Sequence, residues 1–215
     1  MKKSKVTFWT LFMVAIVVVV VFLYAAAKNT RYGNALTSSI ASSTNGALST
    51  YTNTTYGFSI NYPNAFVATS TFASSYLLPT YWNIYAPEGT GEQVVAIEYP
   101  GSNEILSSEL RIGISTDIGQ VKSCDTFPQE QGIATSTHAI DGVQFYVGTA
   151  GDGAMSHFSH IKSYRVTHHG TCYALDLVSF GTDPSVYSPP RTVPFDEKSA
   201  EAALNQVVDS FIFTK

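Results

Sequence analysis

Two groups of residues in this chain have the types and spacing that chemistry uses: a pair of cysteines and a cluster of histidines. The 215 residues hold two cysteines, Cys124 and Cys172. An even pair reads as a disulfide wherever the compartment is oxidising; the alternative is two buried free thiols. Catalytic use of Cys172 would need a basic neighbour to hold a thiolate, and His168 and His169 are close to it in sequence. Four of the five histidines, His157, His160, His168 and His169, fall within one short stretch. Imidazole is a common metal ligand, so these four are the candidate metal ligands. The spacing argues against a shared site. On a strand His157 and His160 point to opposite faces, and His168-His169-Gly170 reads as a turn. No Cys-x-x-Cys or His-Glu-x-x-His pattern is present. The reading is therefore solvated histidines and no metal site.

A third group is aromatic. Tyr76, Tyr81, Trp82 and Tyr85 gather around Pro79. Such rings offer large amphipathic contact area at low entropy cost, which suits recognition of a sugar or a protein. The alternative is that they lie half-buried along a sheet edge. The chain has no Gly-x-Ser-x-Gly elbow, no glycine-rich phosphate loop followed by Lys-Ser or Lys-Thr, and no EF-hand loop. No catalytic or cofactor-binding residue is assigned, and no cofactor is expected.

These groups must be positioned by the rest of the chain. Apolar residues make up 45% of it and charged residues only 13%, against about 25% in an ordinary globular chain. Part of the deficit comes from Phe8–Ala27, twenty residues without a charge. At 1.5 Å per residue a helix of that length spans roughly 30 Å, the thickness of a bilayer's hydrocarbon. Lys2, Lys3 and Lys5 precede it, which places the N-terminus in the cytoplasm and the C-terminal remainder of the chain outside. The segment 1–27 reads as a transmembrane anchor. Ala25-Ala26-Ala27 also fits a signal-peptidase site, so a cleaved signal stays open. Residues 28–50 hold seventeen Ser, Thr, Asn, Gly or Ala among 23 and read as a flexible tether of roughly 25 Å span.

The remainder, 51–215, reads as one domain. It carries seven Lys/Arg against sixteen Asp/Glu, a balance of −9, which disfavours nucleic acid as a partner. Strand patterns cover Tyr56–Tyr62, Tyr81–Tyr85, Val94–Tyr99 and Leu110–Ser115. Asp141-Gly142 between STHAI and VQFYVG is a hairpin signal. Phe158–Thr167 and Thr171–Phe180 flank a second turn. A helix is expected after Pro194, capped by Asp196 and carrying Ala200, Ala203, Leu204, Val207 and Val208 at helical spacing. A short last strand comes next at Ser210–Thr214, and residues 117–131 hold a further helix or a long loop. The class is α+β: an antiparallel sheet flanked by helices.

The opening YTNTTYGFSINYPNAF (Tyr51–Phe66) resembles the start of PsbP-like domains. The closing helix with Leu204, Val207 and Val208 running into SFIFTK resembles their closing helix and strand. The stretch Asp152–Leu177, with Gly170-Thr-Cys-Tyr, is similar to bacterial proteins of the plan anchor, tether, PsbP-like domain. The resemblance implies an α/β/α sandwich around an antiparallel sheet. PsbP is an extrinsic subunit of photosystem II, relatives include assembly factors, and the fold also hosts a nuclear-import factor that binds a small GTPase, so it leaves function open.

The expectation is a non-enzymatic, membrane-tethered binding or assembly domain on the outer side of a bacterial plasma membrane. Its partners would be the membrane, through residues 8–27, and an unidentified protein or envelope glycan. The alternatives are an envelope metal-dependent enzyme using His157–His169 and a wall-adhesion module built on Tyr81, Trp82 and Tyr85.

Overall fold

The computed structural model describes residues 40–42, 48–72, 78, 80–85, 89–128 and 132–215. These belong to one compact unit, Ser38–Lys215. The run Phe8–Ala27 lies outside the described residues, and so does Tyr76. No helix among the described residues is long and apolar enough to cross a membrane.

The strands among the described residues form two antiparallel sheets. The smaller has the order β1 (Ile40–Ser42), β2 (Leu48–Asn53), β3 (Phe58–Pro63), β11 (Ile212–Phe213). The larger has the order β4 (Val67–Thr69), β5 (Glu92–Glu98), β6 (Leu106–Ser115), β10 (Thr171–Thr182), β9 (His157–His168), β8 (Val143–Ala154), β7 (Ala134–Ile140). The α-helices among the described residues are α1 (Ile118–Lys122) and α2 (Glu197–Asp209). Residues 40–42 and 48–50, assigned from composition to the tether, are strand: β1 pairs with β2, and β2 with β3. Along β2 only alternate residues are buried, and a Ser/Thr-rich strand of that kind has the composition of a linker.

The hairpins form where the sequence predicts them. Asp141 and Gly142 have φ of 48° and 76°, and His169 and Gly170 have 46° and 74°. Positive φ at both central residues gives a turn whose twist matches the paired strands. A further two-residue turn joins β8 to β9 at Met155 and Ser156, with φ of 51° and 68°.

Helix α2 begins at Asp196, whose carboxylate accepts from the Ser199 backbone N–H at 2.8 Å and the Ser199 hydroxyl at 2.7 Å. These bonds satisfy one of the free donors at the helix start and hold the Asp196 carboxyl below its ordinary range. The buried face of α2, Ala200, Leu204, Val207 and Val208, packs on β6, β10 and β3. Phe58, Ile60, Leu110, Ile112, Phe145, Leu175 and Phe211 complete that core.

The opposite face of the large sheet is also buried: all ten residues of β6 are inaccessible. Its cover differs from the helical layer that an α/β/α sandwich would put there. Among the described residues the cover consists of 78, 80–85, 89–91 and 123–128 together with the single turn-and-a-half of α1. Helix α1 stops after five residues, before the bridged Cys124 and Pro128. The segment Tyr81–Tyr85, read from its aromatic residues as a strand, is a series of bends and turns. It is held by packing on the sheet face rather than by pairing at an edge.

Candidate ligand pocket

The covered face owes its chemistry to strand periodicity. Every second residue on β6, β10 and β9 points the same way, which collects Glu109, Arg111 and Gly113; Cys172, Ala174 and Asp176; and Ser163 and Arg165. The register sets Arg111 beside Asp176 and Asp176 beside Ser163. In the next row Gly113 faces Ala174, and Ala174 faces Arg165. Four charged groups are thus buried under the cover, two of each sign. Buried charges are costly unless paired and hydrogen-bonded, and most of this set is. Arg111 Nε bonds Glu109 Oε1 at 2.5 Å. Arg165 Nη2 donates to Asn83 Oδ1 at 2.6 Å, Nη1 to the Thr126 carbonyl at 3.0 Å and Nε to Ser163 Oγ at 3.3 Å. Asp176 Oδ2 accepts from the Ile84 backbone N–H at 2.9 Å.

The Arg165 guanidinium also lies against two rings, 4.3 Å from the centroid of Phe127 and 5.1 Å from that of Tyr85. The rings themselves meet edge to face at 5.7 Å. Burial lowers the Arg165 pKa to about 10, against the pull of Asp176, so the group stays charged at neutral pH. Burial pushes the Asp176 carboxyl up, with Arg165 opposing. Tyr85 is pushed up to about 12, first by burial and then by the Asp176 charge, and its hydroxyl keeps its proton.

Cys124 and Cys172 form a disulfide with a Cα–Cα distance of 5.6 Å. The bridge ties the covering segment to β10 beside Trp82 and Ala174. With both cysteines in the bridge, neither thiol is free, and the reading of Cys172 as a reactive site falls.

Between cover and sheet is a half-open cavity of about 190 Å³ lined by Trp82, Asn83, Tyr85, Gln120, Ser123, Cys124, Thr126, Pro128 and Arg165. Among the described residues, Trp82 Nε1, Tyr85 Oη and Asp176 Oδ1 are buried without a hydrogen-bond partner. Buried polar groups are nearly always paired; of these three residues Trp82 and Tyr85 line the cavity, and their unpaired groups mark places where a ligand atom or water belongs.

The aromatic residues singled out from sequence thus divide. Trp82 is only 5% exposed, whereas Tyr81 is 39% exposed and lends its carbonyl to Gln93 Nε2. Tyr85 is half-buried, and with Trp82 it lines the cavity rather than an open recognition surface. Arg165, Asn83, Gln120 and Phe127 complete the site and were not singled out. The signal for Arg165 was its position: two residues from Ser163 and opposite apolar Tyr164 and Val166, it had to face the other side of a strand.

The histidines do not converge. His157 Nδ1 contacts Thr182 Oγ1 at 3.0 Å, and His160 Nδ1 contacts Glu197 Oε1 at 2.6 Å. His168 lies at the far end of β9, where its ring stacks on Phe213 at 3.8 Å and on His169 at 4.1 Å. A twelve-residue strand separates its ends by roughly 35 Å. Among the described residues no three of His, Cys, Asp and Glu gather to hold a metal ion.

No family model matches the chain, and no curated protein matches it. Among solved structures the chain is similar to the cyanobacterial PsbP (CyanoP) of Synechocystis sp. PCC 6803, at 14% identity and a TM-score of 0.43, over 80% of this chain and 97% of that one. It is similar also to LpqN, involved in cell envelope biogenesis of Mycobacterium tuberculosis, at 13% identity and a TM-score of 0.38, over 74% and 83% of the two chains. The first of these neighbours bears the name of the family whose opening Tyr51–Phe66 resembles.

Proposed function

We propose that this chain is a binding or assembly domain held outside the cytoplasm of a bacterial cell, tethered through Phe8–Ala27 and acting without catalysis. The observation that carries the reading is the bridge between Cys124 and Cys172. Disulfides of this structural kind persist in oxidising compartments, and this one fastens the segment that closes the cavity. The unpaired groups at the cavity wall support binding as the task, and the acidic balance of 51–215 argues against nucleic acid or an anionic lipid surface as the ligand.

Protease added to the outside of intact spheroplasts tests the placement. The reading expects the domain to be released or digested while cytoplasmic markers survive. A domain protected until the membrane is lysed would contradict it.

A further inference from the structure

We propose that the cavity between Trp82, Tyr85 and Arg165 binds a small carboxylate with a flat apolar body, its oxygens accepting from Trp82 Nε1 and from the uncommitted N–H groups of Arg165. This rests on the reading of the chain as a binding domain and names the ligand class of its pocket.

Three observations carry the assignment. First, Trp82 is 95% buried, lines the cavity and has no partner for its indole N–H among the described residues. That group is a donor only. Second, Arg165 gives three of its five N–H groups to Ser163, Thr126 and Asn83, which leaves two; a guanidinium matches a carboxylate through parallel bonds. Tyr85 adds a hydroxyl without a partner. Asp176 Oδ1, an unpaired acceptor, does not line the cavity; the unpaired groups of the lining residues, Trp82 Nε1 and Tyr85 Oη, can both donate, and a ligand with acceptor atoms completes them. Third, the remaining wall is ring or aliphatic surface from Trp82, Tyr85 and Pro128, and the volume of about 190 Å³ is below the roughly 300–1,000 Å³ of sites for drug-sized molecules. A small, flat body fits such a space.

The chain holds two tryptophans, Trp9 and Trp82, so a full-length Trp9→Phe variant in detergent micelles reports on the cavity through one indole. Benzoate, benzamide and benzylammonium are titrated at constant ionic strength while Trp82 emission is monitored. Benzoate is expected to give a saturable change, at least tenfold tighter than benzamide, with none from benzylammonium. Gln120→Phe, which puts a ring among the lining residues, is expected to abolish the change with circular dichroism and the disulfide intact; Ser123→Leu is the second blocking variant should the first not fold. Benzamide or benzylammonium binding as tightly as benzoate would overturn the carboxylate assignment and leave the binding reading standing. A benzoate response that survives both blocking variants, or no saturable response to any probe, would overturn the site itself, whereas the extracytoplasmic placement falls only to the protease experiment.

Discussion

The Trp82 carbonyl lies directly on Gly113 of the central strand: a Cβ added to Gly113 would stand 1.5 Å from that oxygen. A hydrogen atom is all that β6 offers there, and the covering segment uses the space to reach the sheet. Gly113→Ala is expected to lift Trp82 from the face. Overpacking of this kind costs about 1–3 kcal/mol and occasionally more, and the upper end applies because the clashing atom is backbone. A lower urea midpoint together with red-shifted Trp82 emission would show it. An unchanged midpoint would mean that the segment does not seat on Gly113.

Gly148 has the same relation to Phe127, whose ring would be 2.4 Å from an added Cβ. Here the obstruction is a side chain that can swing away. Gly148→Ala is expected to cost less than Gly113→Ala and to move Phe127 off the Arg165 guanidinium, visible as a change in the Phe127 ring resonances by NMR.

The disulfide closes a loop whose ends are 48 residues apart. The chain-entropy model assigns such a loop roughly 4 kcal/mol. Cys124→Ser with Cys172→Ser is expected to lower stability by about 2–4 kcal/mol and to loosen 123–128 before the rest of the sheet. Hydrogen exchange would show the 123–127 amides exchanging first. Uniform loss of protection would contradict the view that the bridge chiefly holds the cover.

Arg165 and Asp176 share the buried face with opposite charges. Arg165→Met removes the positive charge that acts on Asp176 and the bonds to Ser163, Thr126 and Asn83, and is expected to cost about 3–5 kcal/mol, the range for leaving a buried charge uncompensated. The double variant with Asp176→Asn is expected to cost less than the two single losses added together. Strict additivity in a denaturation cycle would show that the two groups do not interact.

How much of this was legible in the sequence depended on how local the signal was. Asp141-Gly142 and Gly170 announced their turns because glycine tolerates positive φ. The turn at Met155-Ser156 carried no such residue, since the pairing of two twelve-residue strands imposes the geometry there. Asp196 and the spacing of Leu204, Val207 and Val208 announced α2. Tyr81–Tyr85 misled, because aromatic residues favour strands but here pack one by one into a face. Trp82 and Tyr85 were visible as candidates; Arg165 was not, since an arginine in a strand is expected to face water. Only the register that sets Ala174 between Gly113 and Arg165 reveals that both faces of the sheet are covered.

Acid should act on the start of α2. The Asp196 carboxyl is held below its ordinary range by the Ser199 hydroxyl and backbone N–H. A carboxyl lowered in the folded state contributes stability that is full above its unfolded pKa, about 3.9, and is lost as pH falls through the folded value. Asp196→Ala is therefore expected to melt earlier than the parent at neutral pH, with the gap closing as pH falls below about 4. A gap that stays constant down to pH 2 would show that the cap does not depend on the charge.

The central claim is an oxidised domain tethered outside the cytoplasm, and the intact mass of protein purified from membranes tests it most directly, with alkylation before and after reduction. The expected result is a mass that retains residues 1–27 and two cysteines that take up alkylating reagent only once reduced. Two thiols that alkylate without reduction would contradict the oxidising placement, and a mass beginning near Lys28 would contradict the tether.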